Sequence, residues 1–322
     1  MEYRKLGRTG LKVSSICLGT MQFGWTAGRE QAFAIMNRAL ELGCNFFDTA
    51  DVYSRWAEGN PGGVSEEIIG SWLANHDHKR ENLIIATKVR GAMSDDPNDQ
   101  GLSRHHIMHS VEASLRRLRT DYIDLYQLHW PDEETPLEET ITALDVLVRS
   151  GKVRYIGCSN FPAWLLTKSL WVSDRLGKAR FDSLQPHYNL LHRAEFEREL
   201  QPLCLDQGIG VIPYSPLGGG FLTGKYQRNQ PLPESARGSS IEKRYMNERG
   251  FTAVEALAQI SFKHQVTVAQ TAIAWVLANP AVSSAIIGAN SITQLEDTIH
   301  GANVNLDTAE KDQLDQLTSW KS

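Results

Sequence analysis

Apolar runs of roughly eighteen residues, the length of a membrane-spanning helix, are missing from this 322-residue chain. The first ten residues, Met1–Gly10, are polar and charged and carry no apolar signal core. Cysteine is scarce. Cys17, Cys44, Cys158 and Cys204 lie far apart, each in or beside an apolar segment. That spacing excludes a disulfide scaffold and reads as buried thiols in a reducing compartment. No Cys/His/Asp cluster has metal-ligand spacing, so no metal is expected. The formal charge is −5, from 33 basic and 38 acidic residues, with no long basic block. Composition therefore gives nucleic-acid binding no support. The expectation is a soluble, cytoplasmic protein without a membrane or nucleic-acid partner. With no strongly apolar exposed stripe, a monomer is the default.

What is present is a regular alternation. The chain is 41% hydrophobic, enough for one large core, and a single domain over residues 1–322 is expected. Residues 3–6 and 12–15 flank Gly7-Arg8-Thr9-Gly10 and predict an N-terminal hairpin. Short apolar strands are then expected at 16–18, 45–47, 83–87, 124–128, 153–158, 183–185, 210–213 and 282–287. Helical periodicity falls between most of them, as at 29–42, 137–149 and 195–207. Ser65 and Ser103 are expected to open helices, with Glu66 and Glu67 in the first turn of the former. Ser291 is expected to cap a late helix, with Gln294 completing a capping box. Residues 217–240 break the rhythm, being long for a βα connection and rich in Gly, Pro and Ser. They read as a ligand cover or as local disorder. Helices are expected at 244–263 and 268–278, and an added C-terminal helix at 307–320.

Such βα units predict a (β/α)8 TIM barrel with an N-terminal β-hairpin and extra C-terminal helices. An open doubly wound sheet is the alternative. It is weakened because no Gly-x-Gly-x-x-Gly follows the first strand.

A barrel gathers the C-terminal ends of its strands around one mouth. Those ends carry Asp48, Lys88, His129, Ser159-Asn160, Gln185, Tyr214-Ser215 and Gly288-Ala289-Asn290. Each alone reads as a cap or a chance polar residue. Together, Lys88 near Asp48 would be a buried ion pair. A lysine near Tyr53 would lower the phenol's pKa from its ordinary value of about 10 and let it exchange a proton. His129 would donate to a carbonyl oxygen, or be an ordinary satisfied histidine. Polar groups around one oxygen without a metal suit proton-coupled hydride transfer better than hydrolysis.

The runs Asp48-Thr49-Ala50-Asp51-Val52-Tyr53, Asp121-Tyr122-Ile123-Asp124-Leu125-Tyr126, Ile156-Gly157-Cys158-Ser159-Asn160-Phe161 and Gly224-Lys225-Tyr226 carry a resemblance. Across essentially its full length the chain resembles the aldo-keto reductase superfamily. It looks most like the bacterial general-stress branch, which is related to potassium-channel β subunits. The resemblance implies reversible, NAD(P)H-dependent reduction of a small-molecule aldehyde or ketone. Tyr53 would be the general acid, Lys88 and Asp48 would tune it, and His129 would orient the carbonyl. It also implies that Ser159, Asn160 and Gln185 hold the nicotinamide carboxamide, with Tyr214 stacked on the ring. Ser215, Leu217, Thr223, Lys225 and Arg237 match positions for the cofactor's phosphates and covering loop. Gly288, Asn290, Gln294 and Asp297 match the adenosine ribose site.

Two features depart from the family pattern. Asn290 and Ser291 are neutral where many NADPH-preferring relatives have Lys or Arg, and Thr298 stands where Asn is common. Related branches bind NADPH with small polar groups there, so NADP(H) is favoured and NAD(H) is the alternative. Met21, Trp25, Trp56 and Trp130 are candidate walls of the substrate pocket, or packing residues for their own loops. The likeness to channel subunits leaves a second function open, a nucleotide-binding redox sensor or scaffold with little turnover.

Overall fold

In the computed structural model, residues 1–75, 79–233, 235–236 and 238–320 are described. Strands β1 (Tyr3–Lys5) and β2 (Lys12–Ser14) form the antiparallel hairpin. The barrel strands follow: β3 (Ile16–Gly19), β4 (Phe46–Asp48), β5 (Ile84–Val89), β6 (Ile123–Leu128), β7 (Val153–Ser159), β8 (Ser183–Gln185), β9 (Gly210–Val211) and β10 (Ala285–Gly288). They form an eight-stranded sheet in the order β10-β3-β4-β5-β6-β7-β8-β9, with every pair parallel.

Backbone bonds close the sheet between β9 and β10. Ser283 N donates to Val211 O at 2.8 Å and Ile286 N to Pro213 O at 3.0 Å. The expected strand 210–213 stops at Val211. Pro213 has no N–H to continue the ladder, but its carbonyl still accepts. The molecule is a (β/α)8 barrel, as the alternation predicts.

Helices α1 (Arg29–Glu41), α2 (Val64–Ala74), α3 (Arg104–Leu118), α4 (Leu137–Arg149), α5 (Ala163–Leu176) and α6 (Gln201–Gln207) alternate with the strands. A wider helical turn, Phe196–Leu200, leads into α6. The long segment after β9 is not wholly irregular. It holds a short turn at Gly218–Thr223 and a further helix, α7 (Gly238–Tyr245). Then come α8 (Glu248–His264), α9 (Val268–Leu277), α10 (Ile292–Ile299) and α11 (Thr308–Leu317), the last packed on α8. Among the described residues no helix is long and apolar enough to cross a membrane.

Alternation along the strands divides the core in two. Cys17, Phe46, Ile84, Ala86, Leu125, Ile212 and Ile286 fill the barrel interior, and Leu6 and Val13 of the hairpin pack with them. The hairpin thus plugs the lower end. Phe47, Ile85, Tyr126, Leu128 and Cys158 belong to the larger cluster shared with the helices. All four cysteines are free and buried.

Local capping departs from expectation in two places. Gly63, in a left-handed conformation, precedes α2, and Ser65 lies inside the helix, where its hydroxyl meets Thr20 and Thr49. Glu66 is fully buried rather than set on the surface, accepting from Thr87 Oγ1 at 2.5 Å and Arg117 Nε at 2.7 Å. Ser291 does cap α10, but Gln294 Oε1 accepts from Asn290 N, one residue before the position a capping box requires.

Candidate active site

Asp48, Lys88, Gln127 and Gln185 meet at the upper end of the barrel interior. Register puts Lys88 beside Gln127, and Gln127 beside Gly157. The loop after Asp48 continues the ladder to β5, with Thr49 N bonded to Ala86 O at 2.9 Å and Asp51 N to Lys88 O at 3.2 Å. Ser54 Oγ then donates to Phe23 O at 2.5 Å. Tyr53 is therefore carried on anchored backbone rather than on a free loop.

Lys88 and Asp48 are buried, with side chains 0% and 2% exposed. A buried ion pair holds only when its remaining polar atoms are satisfied, and here they are. Lys88 Nζ donates to Asp48 Oδ2 at 2.5 Å, Thr49 O at 2.9 Å and the Tyr53 hydroxyl at 2.8 Å. An ammonium has three hydrogens, so all are used. Asp48 Oδ1 accepts from Gln127 Nε2 at 3.0 Å and Gln185 Nε2 at 2.9 Å. Burial works against the Lys88 ammonium, but Asp48 and Tyr53 outweigh it and raise its pKa. It stays charged at neutral pH.

The Tyr53 phenol behaves opposite to expectation. Burial pushes its pKa above the ordinary value, and the opposing pull of Lys88 is smaller. At neutral pH Tyr53 keeps its proton, the state an acid needs. Lys88 is placed to stabilise the phenolate left after that proton departs.

His129 is partly exposed, with its ring centroid 5.8 Å from that of Tyr53. Its backbone is fixed on both sides, by N–H donation to Val89 O at 2.9 Å and by Asn160 Nδ2 donating to its carbonyl at 3.0 Å. Burial, with Lys88 and Arg90 adding to it, pulls the imidazole down to about 3. The ring is neutral at physiological pH and can donate from one nitrogen only.

Ser159, Asn160, Gln185 and Tyr214 form the adjoining network. Ser159 Oγ donates to Gln185 O at 2.8 Å, Asn160 Nδ2 to Ser159 Oγ at 3.0 Å, and Tyr214 OH to Asn160 Oδ1 at 2.9 Å. His187 stacks on Tyr214 with centroids 5.1 Å apart and planes 9° apart, backing a ring expected to stack on a ligand.

The remaining candidates are more scattered. Ser215 is left-handed at φ 54°, and Asn189 Nδ2 donates to its carbonyl. Leu217 packs against the core, and Thr223 Oγ1 donates to Gly220 O. Lys225 is exposed. Asn290 Oδ1 accepts from Thr26 Oγ1 at 2.8 Å. Asp297 Oδ1 is taken up by Thr267 and Gln270 at the start of α9. Arg237 lies outside the described residues. Trp25, Trp56 and Tyr53 form a chain of edge contacts, at 5.7 Å between Trp25 and Trp56 and 6.2 Å between Trp56 and Tyr53. Trp56 and Trp130 are each 49% exposed, and Met21 is half-buried.

Sequence reasoning missed Gln127, Gln22 and His187. Gln127 had a usable signal, a polar residue two positions after Leu125 on the inward face of an apolar strand. Gln22 had none. A Cβ on Gly288 would stand 1.9 Å from Gln22 Nε2, so this side chain lies directly on Gly288.

The sequence pattern of the Aldo/keto reductase family matches residues 15–319. The chain is 44% identical over 315 residues to "Uncharacterized oxidoreductase YrpG" of Bacillus subtilis (strain 168), covering 95% of this chain and 93% of that protein. It is 36% identical over 310 residues to "Probable voltage-gated potassium channel subunit beta" of Arabidopsis thaliana, covering 94% and 92%. It is 35% identical over 341 residues to "Versiconal hemiacetal acetate reductase" of Aspergillus parasiticus, covering 98% and 96%. With its parallel barrel and this polar cluster at the strand ends, the chain belongs to the aldo/keto reductase family, in the part of it related to the channel β subunits.

Proposed function

We propose that this protein reduces small aldehydes or ketones to alcohols with a nicotinamide dinucleotide, NADPH favoured over NADH, and that Tyr53 gives the proton. The observation that carries the reading is the direction of the bond between Lys88 and Tyr53. Lysine can only donate, so the phenol oxygen accepts, and its own hydrogen points elsewhere.

The residues present fit a dinucleotide. Gly218, Gly219 and Gly220 are successive left-handed residues, with φ 57°, 71° and 109°. Backbone of this kind offers N–H groups to an anion, and Lys225 adds charge beside Gly220. Gln22 Oε1 is buried without a hydrogen-bond partner next to Gly288, which leaves an acceptor for a polar ligand group. Ser159, Asn160 and Gln185 would hold the carboxamide, against Tyr214. Ser215, Leu217, Thr223 and Lys225, with Arg237, would serve the phosphates, and Gly288, Asn290, Gln294 and Asp297 the ribose.

When bound, the dinucleotide supplies the hydride for the carbonyl carbon. The neutral His129 ring donates to the carbonyl oxygen and orients it. As that oxygen gains negative charge it takes the phenol proton from Tyr53. Lys88 then faces a phenolate, and Asp48 keeps Lys88 in place. Trp56 and Trp25, with Met21 and Trp130, would shield the carbonyl compound from water.

The four buried free thiols support a cytoplasmic site of action. The likeness to a probable channel subunit favours a second reading, a nucleotide-binding regulatory protein with little turnover.

The test is fluorescence titration with NADPH and NADH, then stopped-flow mixing of the loaded protein with 4-nitrobenzaldehyde. Tight binding followed by fast loss of the reduced-cofactor signal is expected. Tight binding without oxidation across a panel of carbonyl compounds would favour the regulatory reading. Binding of neither dinucleotide would overturn both.

A further inference from the structure

One buried amide is committed to both halves of the site. Gln127 Nε2 donates to Asp48 Oδ1 at 3.0 Å, and Gln127 Oε1 accepts from Gln185 Nε2 at 3.2 Å. Gln185 Nε2 also reaches Asp48 Oδ1 at 2.9 Å, so the three side chains close a small ring. All three residues are buried, Gln127 completely. The neighbour across the β6–β7 ladder is Gly157, where a Cβ would stand 3.4 Å from Gln127 Cγ.

The ring has one sense. A carboxylate only accepts, so Gln127 must turn its NH2 toward Asp48 and its oxygen toward Gln185. Gln185 must then turn its own NH2 inward. Its oxygen is left as the atom it can offer to the mouth.

We propose that Gln127 is a positioning residue for the reaction: it sets the charge that Asp48 presents to Lys88 and Tyr53, and with the same amide it gives the Gln185 NH2 a second acceptor. Gln127 touches no reacting atom in this arrangement. Its kinetic consequence rests on the reductase reading above, and its effect on the Tyr53 phenol does not.

The physical argument runs through Asp48. Lys88 occupies Oδ2, and the two amides share Oδ1. Losing the Gln127 donor concentrates negative charge on the carboxylate. Asp48 then neutralises more of the Lys88 charge, and Tyr53 feels a more negative neighbour. Both changes destabilise the phenolate. The ionisable groups coupled to Asp48, Lys88 and Tyr53 are Cys17 below them, Asp51 and Tyr214 beside them, and His129 across the mouth. None of them replaces the lost donor.

The test compares wild type with Gln127→Leu, close in volume and without polar atoms, and Gln127→Glu. For Gln127→Leu, kcat should fall about tenfold to a hundredfold, the usual consequence of removing a hydrogen bond to a charged group. KM for the carbonyl compound should stay within about twofold, the pattern for a group that acts in the transition state alone. The basic limb of the pH profile should move upward. Gln127→Glu keeps an acceptor for Gln185 but donates to Asp48 only while protonated. Its rate should recover as pH falls, giving an acid-side limb absent from wild type and from Gln127→Leu.

Unchanged kcat and pH limb in Gln127→Leu would overturn the proposal. So would a loss of activity that follows thermal stability with the limb unmoved, which is the signature of packing alone. If Gln127→Leu does not fold, the acid-side limb of Gln127→Glu decides, its absence overturning the proposal. If wild type shows no turnover, the reductase reading fails, and the Tyr53 titration, read by ultraviolet absorbance as the difference from Tyr53→Phe, still decides: it should lie higher in Gln127→Leu than in wild type, and no difference overturns the proposal.

Discussion

Lys88 Nζ lies 2.8 Å from the Tyr53 hydroxyl oxygen and spends its last hydrogen there. The ammonium also sits 4.6 Å from the ring centroid, over the phenol. Tyr53 is thus held by a group that stabilises its anion but does not take its proton.

This relationship makes Tyr53→Phe the sharpest test of the proposed acid. The variant keeps the ring and its edge contacts with Trp56 and His129. Dinucleotide binding should be preserved. Carbonyl reduction should fall by about 10² to 10⁴, the usual contribution of a positioned acid. Single-turnover stopped-flow fluorescence measures both, and a near-normal rate would remove Tyr53 from the role.

Lys88→Met tests the ion pair as structure. It leaves the Asp48 carboxylate buried without a counter-ion, although Gln127 and Gln185 still donate to it. Breaking a buried pair from one side costs about 3–5 kcal/mol. Urea denaturation should show a loss of that order. Adding Asp48→Asn removes the stranded charge and should recover part of it. If the double variant is no more stable than Lys88→Met, the amides alone satisfy Asp48.

The neutral His129 ring predicts a stability slope on the acid side. Its folded pKa is about 3, below the unfolded value of about 6.5. Between those values the unfolded chain binds the extra proton and the folded chain does not. The contribution is therefore fully present above about pH 6.5 and is lost as pH falls toward 3. One such group gives a slope of about 1.4 kcal/mol per pH unit. His187 is lowered to about 3 as well, by burial and by His192 and Arg244, and acts in the same direction. Urea unfolding from pH 7 to pH 4.5 should show His129→Asn losing about one proton of that dependence. An unchanged slope would mean that His129 is already protonated in the folded protein.

Much of this was legible in the sequence because it depends on local pattern. Apolar runs separated by helical periodicity specify βα units, and polar residues where the runs stop specify the mouth. Asp48, Lys88 and Tyr53 meet as that logic requires. What stayed hidden depends on register or on a balance of energies. Gln127 reads as one polar residue in a strand until β6 is set against β5 and β7. Gln22 reaches Gly288 only because β3 pairs with β10 across the ends of the chain. The Tyr53 shift came out opposite because sequence names the nearby lysine but not the burial that outweighs it. Helix α7 was hidden by composition, since it begins inside a run rich in Gly, Pro and Ser.

Gly157 offers a test of how tightly the inward layer is packed. A Cβ there would stand 2.2 Å from Ser183 Oγ and 3.1 Å from Ser183 O, as well as 3.4 Å from Gln127 Cγ. Gly157→Ala should therefore destabilise the barrel by about 1–3 kcal/mol, the range for overpacking. Ser183 Oγ is buried without a hydrogen-bond partner, so Ser183→Ala alone should cost little. Removing that oxygen also removes the closest clash. The double variant should recover much of the Gly157→Ala loss, with a coupling of about 0.5–3 kcal/mol in a double-mutant cycle. Because β7 and β8 carry both Ser159 and Gln185, the single variant should also weaken dinucleotide binding, and the double variant should restore it. Additive stabilities would show that the strain is taken up by the β7–β8 backbone instead, and that Gly157 is needed for strand spacing and not for side-chain room.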